Sequence, residues 1–463
     1  MARPRDDKPG ATHGRGNQGR PAGRATGPAA GRPAGKPTGR PGPGGPGGPG
    51  GPVEHHRRSL ANLGGEIEVQ GDEALGPLLR EALTLPEGFD ERALTHGFHA
   101  WPARLHPHTA RVLVKAAPPG AIADPFMGGG TTPLEARLAG RLAVGNDLNP
   151  VGLEVAWVRT RCFGKKALDE LREATRVAIK LATSLAEERR APPSYRDRVA
   201  YAFDPQALQE VWALGAVIDD YLKLHPEQEA WRVLRAALSS ILVKVSRLVS
   251  DSVAKVDRSK AAFTPRGRVF HWFKGRVVEL SDQIVALSRA LPEGSPEPML
   301  TMGDARTPPP RLPAIGAVVS SPPYPGIYDY VDHHRLRLLA LGLPVAPMVD
   351  LEIGSRRESE RSGLDVGLAR YVSDLTRVLS GWTATLVPGG FVAFIIGDGQ
   401  VGAKVTPVLP LLERAAKDSG LFIRAAASQR RPVFSGSGPA GKKGLGKAEH
   451  LAWLERVGPG TMK

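Results

Sequence analysis

Two short apolar runs, Gly120–Phe126 and "RLAVGND" ending in Asp147, flank a segment of helical spacing, "TTPLEARLAG". Short apolar runs bounded by breakers predict buried strands, and the 3.6-residue spacing between them predicts a helix with Thr131 or Thr132 as its cap. The alternation resumes after residue 297. "PMLTMGDAR" predicts a strand ending at Asp304 and "AIGAVVSSPPY" the strand after it; "GGFVAFIIGDG", "LFIRAAASQRRPVF" and "EHLAWLERV" predict three more. Seven strands alternating with helical segments predict an α/β, doubly wound sheet whose ligand lies at the carboxyl ends of the strands. Between the second and third strands the spacing is helical throughout. The expected organisation is therefore 1–60 a tail, 61–151 the first part of an α/β domain, 152–297 a helical insertion, and 298–463 the rest of that domain.

Composition adds the tail and the partner. Residues 1–60 hold 16 Gly and 11 Pro with almost no large apolar side chains, and such a segment is expected to be disordered. They carry 11 Lys/Arg against 3 Asp/Glu, a net of +8 out of +15 for the chain, so a basic body of +7 remains. That charge favours a polyanionic partner through counterion release. The lone Cys162 excludes an intramolecular disulfide and a Cys-cluster zinc site, and an intracellular, cytoplasmic setting follows as the economical reading. The most apolar late stretch, "LVPGGFVAFIIGDG", is too short and interrupted to span a bilayer, so no membrane partner is expected. His96, His99, His106 and His108 match no common metal spacing, and no metal is expected.

Strand, glycine turn, helix, strand, acid is the grammar of a nucleotide-type cofactor site. Gly128-Gly129-Gly130-Thr131-Thr132 does not supply the G-x-G-x-x-G of a dinucleotide site. Asp124 before the glycines would repel a pyrophosphate and attract a cation. This charge logic favours S-adenosylmethionine, with its sulfonium and ammonium, over NAD. Asp147 at the second strand's end can accept hydrogen bonds from both ribose hydroxyls. Asp124, Asp147, Asp304 and Ser321 all fall at predicted strand ends, which points to one site.

The motifs "DPFMGGGTT", "GNDLNP", "GDAR" and "SSPPY", in this order, resemble those of the S-adenosylmethionine-dependent amino-methyltransferases that act on exocyclic amines of DNA bases. Residues 96–113, "HGFHAWPARLHPHTARVL", resemble the segment that these enzymes close over the methionine part of the cofactor. The resemblance covers roughly 95–160 and 298–455, with Gly129 where a Ser is common. It implies a seven-stranded class I methyltransferase (Rossmann-like) fold. It implies cofactor contacts at Pro102, Asp124, Phe126, Gly128, Gly130, Thr131, Asp147, Asn149 and Asp304, and a catalytic loop Ser321, Pro322, Pro323 and Tyr324. The prolines stiffen that loop and remove two donors. By resemblance the Ser321 hydroxyl and the Pro322 carbonyl accept the hydrogens of the target amine, and Tyr324 stacks on the flipped base. Ser at 321 favours cytosine N4, since adenine-N6 members mostly carry Asp or Asn there. Cytosine C5 chemistry is disfavoured, because Cys162 lacks a preceding Pro. A site-specific DNA methyltransferase leads. Beside it stand an RNA or guanine-N2 enzyme, an adenine-N6 DNA enzyme, and a nucleic-acid-binding protein with a degenerate cofactor fold, against which the intact Ser-Pro-Pro-Tyr argues.

The insertion supplies candidate nucleic-acid contacts. Residues 240–280 hold 9 Lys/Arg against 3 Asp/Glu, interleaved with Phe263, Phe270, His271, Trp272 and Phe273. Lys255, Arg258, Lys260, Arg266 and Arg268 are the expected phosphate contacts. DNA is favoured over RNA, there being no recognisable RNA-binding domain.

Overall fold

The computed structural model describes residues 66–101, 104–250, 253–257, 260, 263–327, 329–401, 404–430 and 447–457. The expected disordered tail, Pro102 and Arg258 lie outside them. Its centre is one mixed sheet of eight strands: Ile67–Gly71 (β1), Ala121–Asp124 (β2), Ala143–Asp147 (β3), Met299–Met302 (β4), Ile315–Ser320 (β5), Leu386–Gly397 (β6), Leu421–Arg430 (β7) and Ala448–Arg456 (β8). Their spatial order is β1-β7-β8-β6-β5-β2-β3-β4. From β6 to β4 all neighbours are parallel, whereas β8 runs antiparallel to both β6 and β7. An α/β sheet so ordered and flanked by helices is broadly consistent with a Rossmann-like class I methyltransferase fold. The expected count of seven is corrected to eight by β1, which pairs antiparallel with the edge of β7. Its five residues, IEVQG, are half-buried or exposed, and only Ile67 and Val69 are apolar.

The inner parallel strands β2, β3 and β5 bury both faces, as their continuous apolar runs require, whereas β4 at the edge is partly exposed. Ile122, Ala143, Ala317, Val319, Ala393 and Ile395 pack on one face against Ala110, Leu113 and Val114 of helix α1 (Pro107–Ala116). Ala121, Ala123, Val144, Val318, Val392 and Phe394 pack on the other with Leu375, Val378 and Trp382. Strand order reverses beside β2: β3 and β4 lie to one side, β5 and β6 to the other. Such a switch point opens a crevice at the strands' carboxyl ends.

Helix α2 (Thr131–Leu138) follows β2, but neither threonine caps it. Its N-cap is Gly130, at φ 81°. Helix α3 (Pro150–Thr160) follows β3 and is capped by the Asn149 side chain, which accepts from the Val151 N–H at 3.0 Å. Between α3 and β4 lie helices α4 (Lys165–Glu188), α5 (Pro205–Leu224), α6 (Glu229–Val245) and α7 (Arg268–Ala290), a shorter helix at Pro193–Val199, and a two-stranded hairpin, Leu248–Ser250 with Val253–Val256. Their buried core continues into helix α8 (Tyr330–Ala340), through Val331, Leu336 and Leu338. No helix among the described residues is long and apolar enough to cross a membrane.

Candidate functional site

At the switch point, Asp124 ends β2 and Ser320 ends β5; the Ser320 hydroxyl donates to Asp124 Oδ1 at 2.5 Å. Burial, only partly offset by that bond, pushes the Asp124 carboxyl up to about 7. Asp147 ends β3 and accepts from the backbone N–H of Gly128 and of Asn149, both at 2.8 Å. It opens to the cavity but is enclosed on its other sides, and burial raises its carboxyl to about 6. Two carboxyls held in this state favour a ligand that brings positive charge or hydroxyl donors.

The glycine turn lies between them. Gly128 and Gly130 have φ of 50° and 81°, conformations that cost an L-residue dearly. A Cβ on Gly130 would also stand 2.6 Å from Ala156 Cβ and 2.8 Å from its Cα, both in α3. Gly130→Ala is therefore expected to cost about 2 to 5 kcal/mol of stability, read from urea unfolding; a loss under half a kilocalorie would contradict this packing. Gly129, where the resembling family commonly has Ser, has a physical reason. A Cβ there would come within 2.7 Å of the guanidinium of buried Arg159, which donates to the Gly129, Thr95 and His96 carbonyls and ties the turn to the segment before α1.

These elements enclose one cleft of about 960 Å³, open mouth included. Asp124, Phe126, Gly128, Thr131, Asp147, Asn149, Asp304, Ser321 and Pro323 line it; Gly130, Pro322 and Tyr324 do not. The Asp304 carboxylate is clamped by Arg306, which also pairs with Asp374. The Thr131 hydroxyl is buried with no hydrogen-bond partner among the described residues. Along the Pro-Pro loop the carbonyls are unequally engaged. Tyr371 donates to the Pro323 carbonyl at 2.8 Å, Ile327 N–H to that of Tyr324 at 3.4 Å, and Gln400 N–H to that of Pro325 at 3.2 Å. Among the described residues nothing donates to the Pro322 carbonyl, and the Ser321 hydroxyl has no protein partner. The Tyr324 ring is buried in the core and its phenol donates to Glu449 at 2.5 Å.

Other lining residues escape a reading of motifs. Trp101 lies over the glycine turn and packs against His334, centroids 4.3 Å apart and ring planes tilted by 33°. Tyr330 and Glu352 approach from beyond the Pro-Pro loop; the Glu352 carboxyl accepts from the Tyr330 N–H and from Arg357, and burial pushes it up to about 7. "PMVDLEIG" holds no signal that would single out its glutamate. The four early histidines bond within the fold: His96 to Glu135, His99 to Ser239, His106 to the His108 N–H, and His108 to the Glu81 carbonyl.

The expected phosphate contacts scatter in role. Lys255, Arg266 and Arg268 are exposed, Arg266 pairing with Glu187. Lys260 instead donates to the carbonyls of Val243, Ser246 and Leu248, at the end of α6. Lys244 and Arg268 both lie against the Trp272 ring, at 3.4 and 5.3 Å.

No protein-family model matches the chain, and no curated protein matches it. Among solved structures, the crystal structure of TrmN from Thermus thermophilus aligns at 16% identity and a TM-score of 0.28, over 76% of this chain and 49% of that one. The chain thus spans about half the length of that protein, and a likeness this slight carries no argument.

Proposed function

We propose that the chain is an S-adenosylmethionine-dependent methyltransferase acting on the exocyclic amine of a nucleic-acid base, with cytosine N4 of DNA as the favoured acceptor. The carrying observation is a pair of acceptors unengaged among the described residues, the Ser321 hydroxyl and the Pro322 carbonyl, beside the cleft in which Asp124 and Asp147 are held. Bound there, S-adenosylmethionine supplies an electrophilic methyl group on a sulfonium. The residues present fit it: Asp147 can accept the ribose hydroxyls, Asp124 carries charge toward the cationic end, and the Thr131 hydroxyl, without a partner among the described residues, offers a further bond. An aryl amine is a poor nucleophile because its lone pair is delocalised into the ring. Two fixed acceptors on its hydrogens draw the nitrogen towards tetrahedral geometry and stabilise the positive charge that develops on it, a preorganised electrostatic effect. Stiff prolines hold those acceptors in place without reorganisation.

The reading is tested by counting tritium carried from the cofactor's methyl group to duplex DNA. Transfer is expected, and cofactor binding without any transfer to nucleic acid would refute it.

The insertion is proposed to contact the backbone through Lys255 and Arg268, whereas Lys260 serves the fold. Replacing Lys255 and Arg268 by Ala should weaken DNA binding and flatten its salt dependence by a slope of roughly 0.9 per lost phosphate contact. Fluorescence anisotropy against salt concentration reads both effects. An unchanged slope would remove this face from the interface.

A further inference from the structure

The aromatic residue beside the two acceptors has no face to give. Tyr324 is 1% exposed, lies against Gly397, where a Cβ would come within 2.5 Å of its ring, and bonds the buried Glu449. It anchors the Pro-Pro loop to β8, so a planar ligand at Ser321 must find its stacking partner elsewhere. Residues four apart on a helix share a face, and Tyr330 and His334 of α8 both line the cleft. His334 is buried against Trp101, the ring planes tilted by 33°, whereas Tyr330, tilted against His333 at 6.3 Å between centroids, keeps partial exposure. Tyr330 is also fixed in place, because its backbone N–H donates to the Glu352 carboxyl that lines the same cleft.

Resting on the amine-methylating reading above, we infer that Tyr330, not Tyr324, is the residue that stacks on the target: a planar heteroaromatic ring carrying an exocyclic amine. Every base presents a π-face, so this contact supplies capture and orientation, while Ser321 and the Pro322 carbonyl address the amine. Loss of one base–aromatic stack should then raise KM for DNA about 10- to 100-fold, with S-adenosylmethionine affinity unchanged. Tyr330→Phe should restore KM, since it keeps both the ring and the backbone N–H that Glu352 holds.

Photocrosslinking decides the placement without knowledge of the recognition sequence. The full chain is irradiated with a random-sequence single-stranded oligonucleotide pool in which 5-iodocytosine replaces cytosine, and adducts are mapped by peptide mass spectrometry. An adduct on Tyr330, absent in Tyr330→Phe only if the phenol is the attachment point and absent in Tyr330→Ala in every case, is the expected result. An adduct on Tyr324, or none on Tyr330, overturns the inference. The two readings fail separately. Methyl transfer with an unaltered KM in Tyr330→Ala sinks the stacking role alone, whereas a Tyr330 adduct without methyl transfer to any nucleic acid sinks the methylating reading alone.

Discussion

Ser321→Ala is expected to slow methyl transfer by roughly 30- to 1000-fold, the loss of about 2 to 4 kcal/mol that accompanies removal of one preorganised hydrogen-bonding group from a transition state. Cofactor affinity should not change, because the Ser321 hydroxyl bonds no residue that shapes the Asp124 or Asp147 carboxyls. Those are held by Ser320 and by the N–H groups of Phe126, Gly128 and Asn149. Single-turnover transfer from a saturating cofactor separates the two steps. A variant that transfers at the wild-type rate would leave the opening between β5 and α8 without a catalytic role. The neighbouring Ser320 makes the natural control: Ser320→Ala removes the hydroxyl that donates to Asp124, leaving it the Phe126 N–H, and should act through cofactor binding instead.

Asp147→Ala should weaken S-adenosylmethionine binding by about 100-fold or more, since hydrogen bonds to a charged group contribute roughly 1.5 to 3 kcal/mol each and two ribose hydroxyls are at stake. The pH dependence carries the same claim. Burial raises Asp124 to about 7 and Asp147 to about 6 in the free protein. A cationic ligand binds the ionised carboxyls, so affinity is full above the higher value and falls as pH drops through both. Between pH 7.5 and 5.5 the affinity should decline by about 100-fold, and Asp124→Asn should flatten most of that decline. Calorimetric titration at several pH values measures it. An affinity that rises on acidification has the wrong sign for this site.

Much of this site was legible because its parts are local. Apolar runs that end in Asp124, in Asp147 and before Ser321 identify strands and place their terminal side chains at one edge of the sheet, whatever the remaining strands do. Gly128 and Gly130 read as a tight turn for the same reason, and both have positive φ. What escaped depends on distant partners. The fate of the Tyr324 ring is decided by Glu449, 125 residues on, and by the bare backbone at Gly397. Lys260 looks like one more surface cation until the end of α6 presents three carbonyls to it. Glu352, Trp101 and His334 reach the cleft only through tertiary packing, and no spacing rule joins them. β1 offers only Ile67 and Val69 as apolar positions before Gly71 ends it, too few alternations to make a strand signal.

The central claim concerns which atom is methylated. DNA and RNA incubated separately with the full chain and a deuterium-labelled methyl donor, then digested to nucleosides and resolved by mass spectrometry against standards, answer it directly. The account predicts label on the exocyclic nitrogen, as N4-methylcytosine from DNA, and its loss with Ser321→Ala. Label on adenine N6 alone would overturn the choice of base, and label confined to RNA the choice of nucleic acid. Label on a ring carbon, or none on any base while the cofactor binds, would contradict the account itself.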